Sequence, residues 1–207
     1  MPPYTEITGL AGVASIVAAA FLLLARLLPG TARLKTSHPA MSLAALFVLS
    51  LVPLGALPLA SYVRGVTGDL SITTLVMLWL VLLRPRGGAA KDENRLALLI
   101  LIVLAAIALY PMALGAGKYD PYRLGYGDPQ FVVALLLVAL AAWACKFTLI
   151  ALCIAFATFA WAVGWYESNN LWDYLLDPWV SVYASFATIL HGMEVLLRPD
   201  KTDEARY

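Results

Sequence analysis

Charged residues are scarce in this sequence. Lys, Arg, Asp and Glu make up 13% of its 207 residues, and hydrophobic residues make up 62%. About a quarter of a typical soluble domain is charged. Residues 96–117 contain no charged side chain, and a run of roughly 20 apolar residues is enough to cross a bilayer. The shortage of charge therefore argues against a soluble domain and indicates a membrane protein.

Cysteine and histidine are also rare, which removes several kinds of site. Cys145 and Cys153 lie in apolar runs without CxxC spacing, so we expect no redox or metal centre from them. The sequence has no phosphate-binding glycine loop, no Ser/His/Asp set, no zinc-ligand spacing and no transporter-type pair of broken helices. We expect neither a cofactor nor a metal. The net charge is +1 and no basic tract is present, so no nucleic-acid partner is indicated.

The apolar segments predict an all-α polytopic transmembrane helix bundle with about seven spans. The expected spans are about 7–28, 41–61, 70–83, 96–114, 131–145, 147–164 and 179–197. Residues 1–207 would form a single integral membrane domain that ends in a cytoplasmic tail, 198–207. Pro53 and Pro58 predict a kink in the second span. Residues 131–164, interrupted only by Lys146, are either one span or two, and we favour two.

The distribution of basic residues predicts the orientation in the membrane. With the N-terminus outside, every Lys and Arg except Arg64, Lys118 and Arg123 falls on the inner side. The positive-inside rule favours this arrangement. It is also why we favour two spans over 131–164, since a single span would move the basic tail outside. We expect a multi-pass protein of the cell inner (plasma) membrane with a cytoplasmic C-terminus.

Aromatic residues gather on the predicted outer side, where every tyrosine except Tyr207 falls. Ordinary aromatic belts occupy both membrane interfaces. A one-sided set suits a partner or ligand surface, although longer outer loops would produce the same asymmetry. The predicted surface comprises Tyr119, Tyr122, Arg123, Tyr126, Trp165, Tyr166, Trp172, Tyr174 and Trp179.

The segment 164–180, GWYESNNLWDYLLDPWV, carries the most suggestive pattern. Its SNN tripeptide offers helix N-cap residues. The residues that follow predict a short amphipathic helix in the headgroup region, just before the last span. Its acidic face would carry Asp173 and Asp177, and its apolar face would carry Leu171, Trp172, Leu175, Leu176 and Trp179. Anionic lipids would favour basic residues there, so the carboxylates need another explanation.

Asp173 and Asp177 lie one helical turn apart and could bind a cation, accept an arginine or act as acid and base. The other long outer connector, 115–130, contains turns that predict an ordered loop, and it carries Arg123. We expect Arg123 to pair with Asp173 or Asp177. The pair would either hold the two connectors together or form part of a polar pocket. These three residues are the weak catalytic candidates, and the catalytic residues are otherwise unknown.

His191 and Glu194 lie on one face of the last predicted span. Ionisable groups within a membrane are costly and are usually paired or functional. Glu194 is expected to pair with Arg198 or Arg84 and His191 with a neighbouring helix, or both serve a proton relay. A haem bound by two histidines would require His38 to approach His191.

These features predict a multi-pass accessory or assembly subunit. It would dock a larger envelope enzyme or complex through the outer aromatic surface, with membrane lipids and an integral membrane protein as partners. One alternative is a membrane enzyme acting on a lipid-linked or saccharide substrate at the outer face. Another is a small transporter with His191 and Glu194 in its pathway.

Overall fold

The computed structural model describes residues 4–27, 39–83 and 93–197, and these residues are mostly helical. The helices are α1 (Tyr4–Leu27), α2 (Pro39–Ser50), α3 (Leu59–Thr67), α4 (Ile72–Leu83), α5 (Glu93–Ala113), α6 (Pro129–Ala144), α7 (Thr148–Ala162), α8 (Leu171–Leu175) and α9 (Pro178–Leu196). A 3-10 helix, Pro121–Gly125, precedes α6. A small antiparallel hairpin, β1 (Pro53–Leu54) and β2 (Leu57–Pro58), joins α2 to α3.

The prediction of about seven membrane spans is wrong. In the described ranges, one helix, Glu93–Ala113, is long and apolar enough to cross a membrane, with a mean hydropathy of 2.7. The other apolar helical segments that could be assessed have 10–17 residues: Glu6–Leu22 within α1, Met41–Ser50, Pro129–Ala144 and Thr148–Ala162. Helix α9 has 19 residues, but its hydroxyl side chains, His191 and Glu194 lower its hydropathy.

The physical reason is that the backbone divides the long apolar runs into helices shorter than the membrane is thick. Helix α6 has 16 residues and α7 has 15. At 1.5 Å per residue each measures about 22–24 Å, less than the roughly 30 Å hydrocarbon thickness. The prediction from apolar composition alone therefore gave longer continuous helices than the chain forms.

Two interruptions show how the backbone divides the runs. Residues 131–164 form two helices that separate at Lys146, whose backbone adopts the left-handed region with φ 65°. The second predicted span is broken rather than kinked, because the hairpin places Pro53 opposite Pro58 at the end of α2. Gly55, with φ 87°, supplies the turn between the two short strands.

The main core forms where α5 packs against α7 and α9, and α6 packs against α7. Its buried side chains include Leu98, Ile102 and Leu109 of α5, together with Ile154 of α7. A second core cluster lies beside it and is built around Tyr166, Leu171 and Tyr174. Helix α1 packs against α2, α3 and α4 at the other side of the fold.

One further expectation requires correction. Leu171 of α8 and Leu176, which follows the helix, are buried and face the protein core rather than lipid. Tyr183 of α9 accepts a hydrogen bond from Arg95 of α5, so these two long side chains meet between the helices. Many of the basic residues used to predict the orientation, His38 and the predicted tail 198–207 lie outside the described residues.

Candidate functional site

The two connectors that the sequence singled out pack against each other. We refer to residues 119–126, which include the 3-10 helix Pro121–Gly125, and residues 164–179 together as the aromatic cap. Trp172 donates its indole N–H to the carbonyl of Pro121 at 3.0 Å. Asn170 donates its side-chain amide to the carbonyl of Tyr122 at 2.9 Å. The ring of Trp172 also lies 4.7 Å from that of Phe131 on α6. The aromatic cap is therefore joined both within itself and to the helices below it.

Local sequence signals explain how each cap segment begins. Asp120 accepts a hydrogen bond from the backbone N–H of Tyr122 and caps the 3-10 helix, with Pro121 at its first position. Asn170 accepts from the backbone N–H of Trp172 at 3.0 Å and caps α8. Asparagine and aspartate are favoured at such positions because their side chains satisfy otherwise unpaired N–H groups.

Gly125 allows the close approach between the two connectors. It is buried, and a Cβ atom placed there would lie 1.7 Å from Oδ1 of Asn170. Any other residue would have to displace Asn170, which holds both the start of α8 and the carbonyl of Tyr122. The glycine is required for space and not for a positive φ.

The carboxylate of Asp173 accepts hydrogen bonds from one hydroxyl group on each of the two connectors. The phenol oxygen of Tyr122 lies 2.9 Å from Oδ1 and 3.0 Å from Oδ2 of Asp173. Ser168 also donates its hydroxyl to Oδ2. Burial, and then the hydrogen bond and charge of Asp173, raise the pKa of Tyr122 well above its ordinary value. Tyr122 therefore stays a neutral donor over the physiological pH range.

Asp177 is buried and joins the end of the cap to α4. One carboxylate oxygen accepts from the backbone N–H of Ser71 at 2.9 Å and from its hydroxyl at 2.7 Å, and also from the hydroxyl of Thr74. The other accepts from the backbone N–H of Val180 at 2.9 Å and caps α9. Both oxygens of the buried carboxylate therefore accept hydrogen bonds from the protein.

Tyr174 fills the centre of the cap. Its buried hydroxyl accepts from the backbone N–H of Tyr166 and donates to the carbonyl of Ser168, both at 3.0 Å. The rings of Tyr166 and Tyr174 stack with their centroids 5.1 Å apart. Burial raises the pKa of both tyrosines. Tyr166 and Tyr174 therefore support the cap from within and are not available to a partner.

The remaining residues of the predicted surface are exposed or partly exposed. Arg123 is exposed and forms no ion pair with any described residue, so the expected pairing with Asp173 or Asp177 is not formed. Tyr122 and Trp172 are half-buried. The aromatic side chains that project outward are Tyr119, Tyr126, Trp165 and Trp179.

An ion cluster beside the cap was not anticipated from the sequence. Arg64 donates to both oxygens of Asp69 at 2.7 and 2.9 Å, and to Glu167 at 3.0 Å. The hydrogen bond and charge of Asp69 raise the pKa of Arg64 above its ordinary value. A Cβ at Gly9 would lie 2.5 Å from Oδ1 of Asp69, so α1 approaches this cluster closely. The RGVTGD spacing allows Arg64 to meet Asp69, but no sequence signal points to Glu167.

His191 and Glu194 lie away from the cap, in a cavity of about 510 Å³ between the start of α5 and the end of α9. Glu93 and Arg95 line the same cavity. Across the described ranges, no three His, Cys, Asp or Glu side chains come together as a potential metal site.

Comparison with known proteins gives no further guidance. No family model, curated protein or solved structure matches the chain. The two features of the structure that bear on function are the aromatic cap and the cavity at the opposite end of α5.

Proposed function

We propose that this chain is an accessory or assembly subunit anchored in the cell inner (plasma) membrane through α5. It docks a larger envelope enzyme or complex through the exposed residues of the aromatic cap. The observation that carries the proposal is Arg123, an exposed cation without an ion pair among the described residues. It lies on the capped 3-10 helix, three residues before the exposed Tyr126.

The apolar surface of the helices supports the membrane anchor. Only 28% of the most apolar window of α5 is buried within the fold, whereas the core helix of a soluble protein is mostly buried. Large apolar side chains on α5, α6, α7 and α9 are more than half exposed, among them Ile107, Leu137, Phe159 and Phe186. So many exposed large apolar side chains favour contact with lipid or a partner.

The charges that flank α5 support the orientation. Arg84, Arg86 and Lys91 precede the helix and Arg95 lies in its first turn, whereas Lys118 and Arg123 follow it at some distance. The positive-inside rule then places the start of α5 in the cytoplasm and the aromatic cap outside. This argument counts only the charges on either side of α5; α9 packs against α5 and returns from the cap toward the start of α5.

The hydrogen bonding of the cap favours docking over catalysis. Asp173 accepts from Tyr122 and Ser168, and Asp177 accepts from Ser71, Thr74 and Val180. A general base needs an oxygen free to accept the substrate proton. Both carboxylates are instead engaged by donors of the protein itself, side-chain hydroxyls at Asp173 and both hydroxyl and backbone N–H groups at Asp177.

The exposed side chains define the chemistry of the partner. Tyr, Trp and Arg dominate the binding energy of protein interfaces. Arg123 would pair with a carboxylate on the partner. Tyr126, Trp165 and Trp179 would pack into apolar pockets. An integral membrane protein with an acidic extracytoplasmic surface meets both requirements.

The test is the size of the complex in native membranes solubilised in mild detergent. Replacing Arg123 or Tyr126 with alanine should release the chain from the complex, seen as a loss of co-migration on native gels. Trp143→Ala is the matched control, because Trp143 is an exposed aromatic residue on α6 outside the cap. If all three variants co-migrate with the partner as the unaltered chain does, the proposal is wrong.

A further inference from the structure

The cavity between α5 and α9 combines charges of both signs with apolar walls. Glu93, Arg95, His191 and Glu194 provide its polar lining, and Leu99 and Leu190 are among its apolar side chains. Its volume of about 510 Å³ falls within the usual range for small-molecule sites. Among the described residues, the lining comes from the first part of α5 and the second half of α9.

The position of the cavity corresponds to the headgroup level of a membrane. Helix α5 has 21 residues, so its two ends lie about 31 Å apart, close to the hydrocarbon thickness. The aromatic cap follows one end of the helix and the cavity adjoins the other. With α5 in the membrane, as in the proposed function, the cavity faces the cytoplasmic headgroups.

The charges select a ligand that carries both signs. Glu93 and Glu194 are exposed carboxylates on two different helices, and a primary ammonium has three N–H donors that can bridge such a pair. Arg95 presents a guanidinium suited to phosphate, and its hydrogen bond to the hydroxyl of Tyr183 orients it. An anionic lipid would satisfy Arg95 but would be repelled by both carboxylates.

We propose that this cavity binds a phospholipid whose headgroup joins a phosphate to a primary amine. The amine lies between Glu93 and Glu194, the phosphate contacts Arg95, and an acyl chain follows the apolar wall formed by Leu99 and Leu190. The inference rests on the membrane anchor of the proposed function but is independent of docking at the aromatic cap.

Native mass spectrometry of the lipid-depleted chain tests this assignment. The probes are phosphatidylethanolamine, phosphatidylcholine and phosphatidylglycerol with identical acyl chains. We expect the ethanolamine lipid to bind about tenfold more tightly than the choline lipid, since a quaternary ammonium donates no hydrogen bond to the carboxylates. The double variant Glu93→Gln with Glu194→Gln should abolish this preference and increase binding of phosphatidylglycerol.

Two controls separate the possible outcomes. Glu6→Gln changes an exposed carboxylate on α1, outside the cavity, and should leave the lipid preference unchanged. Glycerophosphoethanolamine, which lacks acyl chains, should bind at least about tenfold more weakly than the intact lipid if the apolar wall contributes.

Equal binding of the three lipids, or a preference that survives the double variant, would overturn the proposal, as would equal binding of the headgroup alone. The native-gel assay on Arg123 is scored separately. A failed lipid assay with a positive gel result rejects the lipid site and leaves the docking proposal standing, and the reverse pattern rejects docking.

Discussion

The phenol oxygen of Tyr122 lies 2.9 Å from Oδ1 of Asp173, a residue 51 positions later in the chain. This contact joins the two connectors of the aromatic cap. The carboxylate of Asp173, a catalytic candidate in the sequence, is therefore part of a structural hydrogen-bond network. This contact and the hydrogen bonds near it should make measurable contributions to the stability of the folded protein.

Tyr122→Phe should destabilise the folded protein by about 1–3 kcal/mol, because it removes the hydroxyl that donates to a half-buried carboxylate. The free energy of unfolding in detergent, measured by denaturant titration, gives this value. Tyr119→Phe is the matched control, since Tyr119 is exposed, and it should change stability by less than about 0.5 kcal/mol. Equal effects of the two substitutions would contradict the structural role of the Tyr122–Asp173 contact.

Stability should also fall at alkaline pH in a way that depends on Tyr122. Its pKa is raised in the folded protein, whereas an unfolded tyrosine titrates near pH 10. Below about pH 9 both states keep the proton and stability is unaffected. Above about pH 10 the unfolded chain loses the proton more readily, so unfolding becomes more favourable as pH rises.

Denaturation midpoints from pH 8 to pH 11 test this dependence. The decline should be shallower in Tyr122→Phe than in the unaltered chain. Tyr166 and Tyr174, whose pKa values burial also raises, keep part of the slope in both proteins. Parallel pH curves for the two proteins would show that Tyr122 titrates as it does in the unfolded chain.

Gly125→Ala should cost about 3 kcal/mol, at the upper end for the insertion of a methyl group into a packed site. The added Cβ would lie 1.7 Å from Oδ1 of Asn170 and would separate the two connectors. Gly65→Ala on α3 is the control, because a Cβ at Gly65 has no neighbour within 4 Å. That substitution should be neutral or slightly stabilising. A tolerated alanine at Gly125 would mean that the connectors do not pack as described.

Asp177→Ala should destabilise more than Asp128→Ala, although both aspartates cap helices. Asp128 accepts from the backbone N–H groups of Gln130 and Phe131 only, and its removal should cost about 1 kcal/mol. Removing Asp177 also leaves the buried backbone N–H of Ser71 unpaired and should cost about 3 kcal/mol or more. Thermal unfolding of the two variants side by side gives the difference, and equal losses would reject the coupling of Asp177 to α4.

The local features of the cap were accessible from sequence because they depend on neighbouring residues. The SNN tripeptide pointed to an N-cap, and Asn170 caps α8. The apolar pattern of 131–164 allowed two helices, and the chain divides at Lys146. Long-range contacts were not accessible, since nothing near Arg64 indicates that Glu167 lies beside it, 103 residues away.

The number of membrane spans was overestimated because hydropathy does not show where a helix ends, and α6 and α7 have only 16 and 15 residues. Hydropathy also does not distinguish burial in a protein core from burial in lipid. The apolar pattern predicted that Leu171 and Leu176 lie on the lipid-facing side of an interfacial helix, but both are buried within the fold. The expected pairing of Arg123 with an aspartate failed similarly, because Tyr122, one position earlier, reaches Asp173 instead.

Site-specific photo-crosslinking in native membranes tests the docking role of the aromatic cap most directly. A photoreactive amino acid at Tyr126 should crosslink to one membrane protein, and Arg123→Ala should abolish that product. The same probe at Trp143, also exposed, should not form it. Equal crosslinking from both positions, or a product at Tyr126 that persists without Arg123, would contradict a partner surface on the cap.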